Sequence, residues 1–262
     1  MDTRTSLFHS SNEDAVHAFT AATGGIDLGI YPLGEANHVW HGRVHGDIAL
    51  LTWRDDLVWH ASLEVETIAD DGNEISFRLV RLFYQFRTAV DLKLGPGVLS
   101  LALNHRCGHG TDGALPGRIL IRTGVDTSYR ASHRWGDLEL SWLVHAHATV
   151  LGQNRDLNSQ VRGLLSGAAQ LSYDLPHDFQ LVASAGMGVA LQGGSASDIY
   201  LISDAADGLK AAPLPVAAIG GRYSGLGASF GLFLHYQRIV DTGLTEATQP
   251  ASLFSLRLRF GW

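Results

Sequence analysis

The chain ends in Ser252-Leu-Phe-Ser-Leu-Arg-Leu-Arg-Phe-Gly-Trp262, and this stretch decides the fold class. Its apolar and aromatic residues share one parity, and its serine, arginine and glycine residues share the other. Consecutive side chains of a β-strand point to opposite faces, so a period of two predicts a strand with one apolar and one polar face. The apolar face ends in two aromatic residues, Phe260 and Trp262.

The same alternation recurs throughout the chain. It appears around residues 40–50, 57–66, 80–93, 138–147, 161–174, 179–191 and 230–237. Short turns are expected at 54–56, 95–97, 135–137, 175–178 and 224–227, and longer loops near 34–37, 70–74, 108–116, 152–158, 193–213 and 242–250. Taken alternately, these connections give about twelve strands with both chain ends on the same side.

A terminal strand that closes on an aromatic residue resembles the C-terminal signature of outer-membrane β-barrels. The resemblance implies an all-β fold, a single antiparallel transmembrane β-barrel over residues 25–262, in the cell outer membrane. Short turns and both termini would then be periplasmic, and the longer loops extracellular. Composition agrees, because 45% of residues are hydrophobic and 17% charged, without an apolar run of about 20 residues. The alternative is a soluble ligand-binding β-barrel, whose apolar face would point inward.

Residues 1–24 differ from the rest and are expected to form an N-terminal periplasmic segment. The stretch from Ser11 to Ala22 predicts a short helix, with Ser11 or Asn12 as N-cap and acidic residues in its first turn. This helix could plug the lumen, or the segment could be a mobile tail.

Charge and cysteine content limit the partners. The net charge of −7 argues against nucleic acid, and one cysteine, Cys107, excludes an internal disulfide or a multi-cysteine zinc site. We expect contacts with outer-membrane lipid and lipopolysaccharide, and with other envelope proteins, and no cofactor. His145 and His147, or His41 and His45, could meet around a metal ion, but their spacing matches no established ligand pattern, so no metal is predicted.

The polar faces carry charges of both signs, which a barrel would place in its lumen. The predicted lumen-lining residues are Arg43, Asp47, Glu64, Arg81, Arg87, Asp91, Arg122, Asp126, Glu139, Arg162, Arg257 and Arg259. Twelve strands lie between small barrels filled by side chains and porins with an aqueous channel. The lumen could therefore be a narrow, porin-like channel that favours anionic solutes, or a salt-bridged interior of a structural or assembly component.

The segment from Asn104 to Gly113 carries a second motif. Continuing the parity of the preceding leucines places His105 and Cys107 on the apolar outer face. The pair resembles the His-x-Ser motif of the outer-membrane phospholipase and the lipid A deacylase, which would make His105 a base and Cys107 a nucleophile. Those families follow the serine with Asn-Gly or Asn-Ala, where this chain has Gly108-His109. The phospholipase also orients its histidine with an asparagine on the next strand, where this chain offers Ile119 and Ile121.

The same segment also resembles a family of uncharacterised outer-membrane proteins with the pattern His-x-Ser-Ser-His-x-x-Asp. The aligned positions are His105, Cys107, Gly108, His109 and Asp112, with both serines substituted. This resemblance implies fold and location without an activity. The sequence thus favours a channel or structural component over an enzyme, with a surface lipid acyl hydrolase as the alternative.

Overall fold

The computed structural model describes residues 16–33, 38–72, 74–110, 119–154, 160–195, 197–239 and 251–262. These residues form a sheet of thirteen strands. The strands are β1 Val16–Leu33, β2 Trp40–Trp53, β3 Leu57–Asp70, β4 Arg78–Leu94, β5 Gly97–Gly110, β6 Ile119–Trp135, β7 Leu138–Gln153, β8 Gln160–Leu175, β9 Phe179–Gly194, β10 Ile199–Leu201, β11 Asp207–Gly225, β12 Ala228–Ile239 and β13 Ala251–Gly261. No helix within these ranges is long and apolar enough to cross a membrane.

Twelve of these strands close into a single antiparallel barrel. β1 pairs with β2 on one side and with β13 on the other, and the additional pairing of β7 with β8 completes the ring. The short strand β10 stands apart, because it pairs only with the end of β7, where β8 has already separated from that strand. The predicted all-β barrel of about twelve strands is therefore confirmed.

The outer face of the barrel is apolar and its inner face is polar. On β13, Phe254, Leu256 and Leu258 are exposed on the outside, whereas Ser255 and Arg257 are buried in the lumen. Leu256 is 42% exposed and Arg257 is 6% exposed, which is the reverse of a water-soluble barrel. The alternative of a soluble barrel with an apolar interior is therefore wrong.

Two valines depart from the predicted alternation. Val80 shares the parity of the exposed Tyr84 and Phe86, and Val161 that of the exposed Leu165, so strict alternation predicts both on the outer face, yet both are buried. Each lies at or beside a register shift, between Ile68 and Ala69 opposite β4 and between Val161 and Gly163 on β8. An inserted residue changes which face the following side chains occupy, and parity alone cannot locate such an insertion.

The short connections lie at one end of the barrel, and the longer connections lie at the other end. We call these the turn end, where five short turns, the first described residue of β1 and the C-terminal Trp262 lie, and the loop end, where the longer connections lie. Gly95 and Gly136 have a φ of +58° in the β4–β5 and β6–β7 turns, a conformation that favours glycine. The predicted positions of the short turns are confirmed.

The expected N-terminal helix is corrected for the residues that the structure describes. Val16–Ala22 lie in β1 and pair with β2 from Trp53 to Ile48, with a register shift between Ala18 and Ala21. Backbone pairing along a free sheet edge outweighs the local helix signals here. Residues 11–15, with the proposed N-cap, lie outside the described part of the chain.

Candidate functional site

A ladder of alternating charges crosses the lumen where the first and last strands meet. Asp27 on β1 lies directly opposite Arg43 on β2 and Arg259 on β13. Oδ2 of Asp27 is 2.9 Å from Nε of Arg259, 3.6 Å from Nη2 of Arg43 and 4.0 Å from Nη1 of Arg257. One buried carboxylate on β1 thus holds three guanidinium groups, one from β2 and two from β13.

The ladder continues on β3 and β5. Glu66 accepts hydrogen bonds from Nη2 of Arg106 and from His41, whose Nε2 is 2.9 Å away. Glu64 lies 3.4 Å from Arg106 and 3.7 Å from Arg43. These cross-strand ion pairs tie β2, β3 and β5 together and satisfy charges that would otherwise be costly inside the wall.

A second cluster centres on His60, which lies between two aspartates. Its Nδ1 is 2.9 Å from Oδ2 of Asp47, and its Nε2 is 3.2 Å from Oδ1 of Asp91. Nη2 of Arg130 donates to the other oxygen of Asp91 over 2.7 Å. Both ring nitrogens of His60 face carboxylates, and only the doubly protonated imidazolium can donate to both.

Asp126 forms the centre of a third cluster. Its Oδ1 is 2.6 Å from Nδ1 of His147 and 3.2 Å from Nε2 of His145. Its Oδ2 accepts from the Asn104 side chain over 2.9 Å and lies 3.9 Å from Nε of Arg87. This carboxylate occupies His145 and His147, one of the two histidine pairs that the sequence offered as possible metal ligands. Within the described ranges, no group of three or more His, Cys, Asp or Glu side chains is placed to hold a metal ion.

The other predicted lining residues have different surroundings. Arg222, a further cavity-lining residue, donates from Nε to the side-chain oxygen of Gln180 over 3.1 Å. Glu139 lies 3.6 Å from Arg134 near the turn end, where both side chains are partly solvent-exposed. Arg81 is buried, with its guanidinium carbon 5.6 Å from the centre of a phenylalanine ring. The lumen therefore holds charged groups along its full length.

Two predicted lining arginines, Arg122 and Arg162, lie toward the loop end. Arg162 donates to the Leu201 carbonyl over 2.9 Å, and its guanidinium carbon is 4.5 Å from the centre of the Tyr200 ring. Arg122 lies opposite Arg106 in the register of β5 and β6. It forms no ion pair or hydrogen bond with any residue that the structure describes.

Several residues that line the interior lie outside the predicted set. Arg106 and Asn104 face inward because they alternate with His105, so parity could have found them. Phe233 interrupts the polar face of β12, and it is buried with the guanidinium carbon of Arg259 4.7 Å from the centre of its ring. Tyr31 is also buried. It lies just before the first long loop, where the alternation of apolar and polar residues is too short to assign a face.

A cavity of about 1030 Å³ occupies one side of the lumen. The charged ladder of β1, β2, β3 and β13 forms one wall. The opposite wall belongs to β8, β9 and β11 and carries small side chains, namely Ala168, Val182, Ser184, Val216 and Ala218. The cavity exists because these strands place small residues inward, while the long side chains of β4–β7 fill the other side. The part of the cavity at the turn end is lined by the turn residues Gly225 and Gly227 and by the terminal Trp262.

Apolar side chains fill the lumen toward the loop end. Tyr31, Ile239 and Leu253 form one buried cluster, which we call the apolar constriction. The Tyr31 hydroxyl lies 3.2 Å from side-chain nitrogens of Gln237 and Arg257, both of which line the cavity. The constriction therefore marks the loop-end limit of the cavity on the side where β1 meets β13. A second apolar cluster inside the opposite wall contains Leu164, Ala190, Ala212 and Leu214.

The motif on β5 lies on the outer face, as its parity predicts. His105 is exposed, and its Nδ1 is 2.8 Å from Oγ1 of Thr123, directly opposite on β6. Cys107 lies two residues further along and is partly exposed. Among the described residues, no hydrogen bond joins Cys107 to His105. The expectation that β6 offers His105 only Ile119 and Ile121 is corrected, because the polar partner is Thr123; Asp112 lies outside the described residues.

No protein-family model matches the chain, and no curated protein matches it. Among solved structures it is similar to LpxR from Salmonella typhimurium, at 7% identity and a TM-score of 0.55, over 92% of this chain and 99% of that one. It is also similar to an outer membrane channel from Pseudomonas putida F1, at 14% identity and a TM-score of 0.53, over 97% and 98% of the two chains. The outer membrane phospholipase A from Escherichia coli gives 11% identity and a TM-score of 0.51, over 91% of each. At such identities the likeness concerns the fold, and the chain has the fold of an outer-membrane β-barrel.

Proposed function

We propose that this chain is a narrow channel of the outer membrane, with its turn end and both termini in the periplasm. The observation that carries the proposal is the cavity of about 1030 Å³ between a charged wall and a wall of small residues. A purely structural barrel has no need for inward alanine, glycine and serine along three strands. The orientation follows the usual short periplasmic turns and longer extracellular loops of such barrels.

The lining suits a small polar solute. Arg43, Arg257 and Arg259 border the cavity together with Asp27 and Glu66, so a passing solute meets both signs of charge. Because the carboxylates already bind guanidinium groups, the charged wall is stiff, and the space for a solute lies against the small residues. The apolar constriction at the inner end would limit flow, since apolar narrowings gate channels by excluding water.

Planar-bilayer recording tests the route. Ala218 lines the cavity from β11, and its neighbour Ile219 points outward and is exposed. Ala218→Trp should lower single-channel conductance several-fold, whereas Ile219→Trp should leave it unchanged. A wild-type barrel that conducts no ions would overturn the channel and favour a structural component. Equal conductance in the two variants would show that solutes do not pass through this cavity.

The neutralisation of cavity arginines tests the selectivity. Arg257→Gln removes one positive charge from the lining while its neighbours keep Asp27 paired. Anion preference in a salt gradient should fall relative to wild type. The outward-facing substitution Leu256→Gln, on the same strand, is the control and should not change it. An unchanged reversal potential in Arg257→Gln would contradict a role for this wall in selectivity.

A second candidate function is lipid acyl hydrolysis on the outer face, and the hydrogen bond between His105 and Thr123 favours it. Thr123 would hold the imidazole through Nδ1, leaving Nε2 to accept the Cys107 thiol proton. The thiolate would attack an acyl ester carbonyl, and the lipid alcohol would leave with that proton. Water would then cleave the thioester and release the fatty acid.

Acyl release from phospholipid or lipopolysaccharide vesicles tests this chemistry. Cys107→Ala and His105→Ala should abolish release, and Thr123→Val should reduce it by about 10-fold or more, as for a lost catalytic positioning group. His109→Ala, on the same outer face, should have no effect. Release that survives Cys107→Ala would eliminate the mechanism.

A further inference from the structure

Arg122 differs from every other inward-facing arginine that the structure describes. The others each have an ion pair, a hydrogen bond or a ring contact, whereas Arg122 has none with any described residue. Its Nε and Nη1 are both shielded from solvent and lack an acceptor. An uncompensated guanidinium inside a barrel wall is costly, so its retention calls for a reason.

The neighbours of Arg122 increase that cost. Arg106 lies directly opposite on β5, and like charges in directly opposed positions of a sheet destabilise it. Asp126 is the carboxylate that acts on Arg122 electrostatically. Both oxygens of Asp126 are already bound, by Asn104 on one side and by two histidines on the other. Asp126 is therefore engaged by other side chains and forms no ion pair with Arg122.

A third arginine borders the same place through Tyr200. The Tyr200 ring lies over Gly152, which is the β7 register partner of Arg122. Arg162 stacks on the Tyr200 ring, and the Tyr200 hydroxyl donates to the Val161 carbonyl over 3.0 Å. The Nε atoms of both Arg106 and Arg162 are shielded and lack an acceptor, like those of Arg122. Three arginines thus hold unused donors in one region near the loop end.

We propose that Arg106, Arg122 and Arg162 form an oxyanion site on the lumen side of the barrel wall, with Arg122 as its centre. The ligand class is a phosphate group, because guanidinium donors match its oxygens in number and planarity. The side chains face the lumen, and acyl chains would lie outside. The site therefore takes a soluble phosphate or a phosphorylated solute in preference to a lipid headgroup. The site lies outside the residues that line the main cavity, so it is independent of the proposed conduction route.

Phosphate titration of the purified barrel in a non-ionic detergent tests the site. At constant ionic strength set with chloride, inorganic phosphate should raise the unfolding temperature by several degrees and then saturate, as for a ligand that binds only the folded state. Anionic phosphatidylglycerol added to the same detergent should give no saturable rise. Saturation with the lipid alone would reassign the source to a headgroup and overturn the soluble ligand. No saturable rise with either probe would overturn the site.

Arg122→Met separates a ligand site from a structural arginine. Without phosphate this variant should unfold at or above the wild-type temperature, because it removes an unpaired charge from the wall. With phosphate it should show no rise. Arg134→Met is the control, since Arg134 is exposed near the turn end and pairs with Asp174, and it should keep the full phosphate effect. An Arg122→Met barrel that keeps the phosphate effect, or that is less stable than wild type in chloride, would overturn the proposal.

Discussion

Nε of Arg259 on the last strand donates to Oδ2 of Asp27 on the first strand over 2.9 Å, inside the seam that closes the barrel. The side chain of Asp27 is 2% exposed and also lies within ion-pair distance of Arg43 and Arg257. The seam is thus closed twice, by backbone pairing between β1 and β13 and by one carboxylate shared among three strands. Loss of that carboxylate leaves three guanidinium groups, the buried Arg257 among them, without their shared partner.

Asp27→Asn should therefore be strongly destabilising. Breaking a buried ion pair by removing one partner costs about 3–5 kcal/mol, and the asparagine keeps the shape while removing the charge. Urea unfolding of the barrel refolded into lipid vesicles gives the free energy of unfolding. Asp174→Asn is the control, because Asp174 pairs with the exposed Arg134 and such pairs contribute about 1 kcal/mol or less. Similar losses in the two variants would contradict the role of Asp27 at the seam.

Leu234 tests which face meets lipid. It lies in the middle of β12 and is exposed on the outer face. Leu234→Arg should lower the free energy of unfolding in vesicles by about 2–4 kcal/mol, the cost of an arginine at the midplane of a bilayer. Leu226→Arg, at the tip of the β11–β12 turn, should change it by less than about 0.5 kcal/mol. A small effect at Leu234 would show that this wall does not contact acyl chains.

Much of this fold follows from a period of two and from where turns interrupt it. The C-terminal strand shows why, because Leu256 and Arg257 are neighbours in sequence and lie on opposite faces. Once one face must meet lipid, the facing of every regular strand is determined. Val80 and Val161 were misassigned because register shifts depend on the neighbouring strand, which the local pattern does not contain.

The candidate site was only partly predictable for the same reason. Parity identified which charges face inward, but their partners depend on register between strands distant in sequence. The contact of His105 with Thr123, rather than with the expected positions on β6, follows from the β5–β6 register. The small-residue wall could not be predicted from the sequence, because alanine and glycine carry no chemical signal until the opposite wall is known.

Gly152 is required by the ring that lies against it. A Cβ at this position would come within 2.1 Å of Cζ of Tyr200, so Gly152→Ala should displace Tyr200 and loosen β10. We expect a loss of about 1–3 kcal/mol, as for an overpacked interior, and faster hydrogen exchange at the Ile202 amide, which now bonds the Val150 carbonyl. Gly221→Ala is the control, because the nearest atom to its added Cβ is 3.8 Å away. Unchanged exchange at Ile202 would show that β10 is held by other contacts.

The apolar constriction can be opened without changing a charge. Tyr31→Ala removes the ring that closes the inner end of the cavity, and Leu253→Ala removes its packing partner. Each should cost about 2–5 kcal/mol of stability, so the variants must first be shown to fold by heat-modifiable migration. If the constriction limits flow, both variants should raise single-channel conductance.

Two variants serve as controls. Tyr31→Phe should not raise the conductance, because it keeps the ring and loses only the bonds to Gln237 and Arg257. Phe254→Ala, which removes an outward ring next to Leu253, controls for loosening of β13. An equal rise in conductance in Phe254→Ala and Leu253→Ala would mean that the mobility of β13, and not the apolar constriction, sets the conductance.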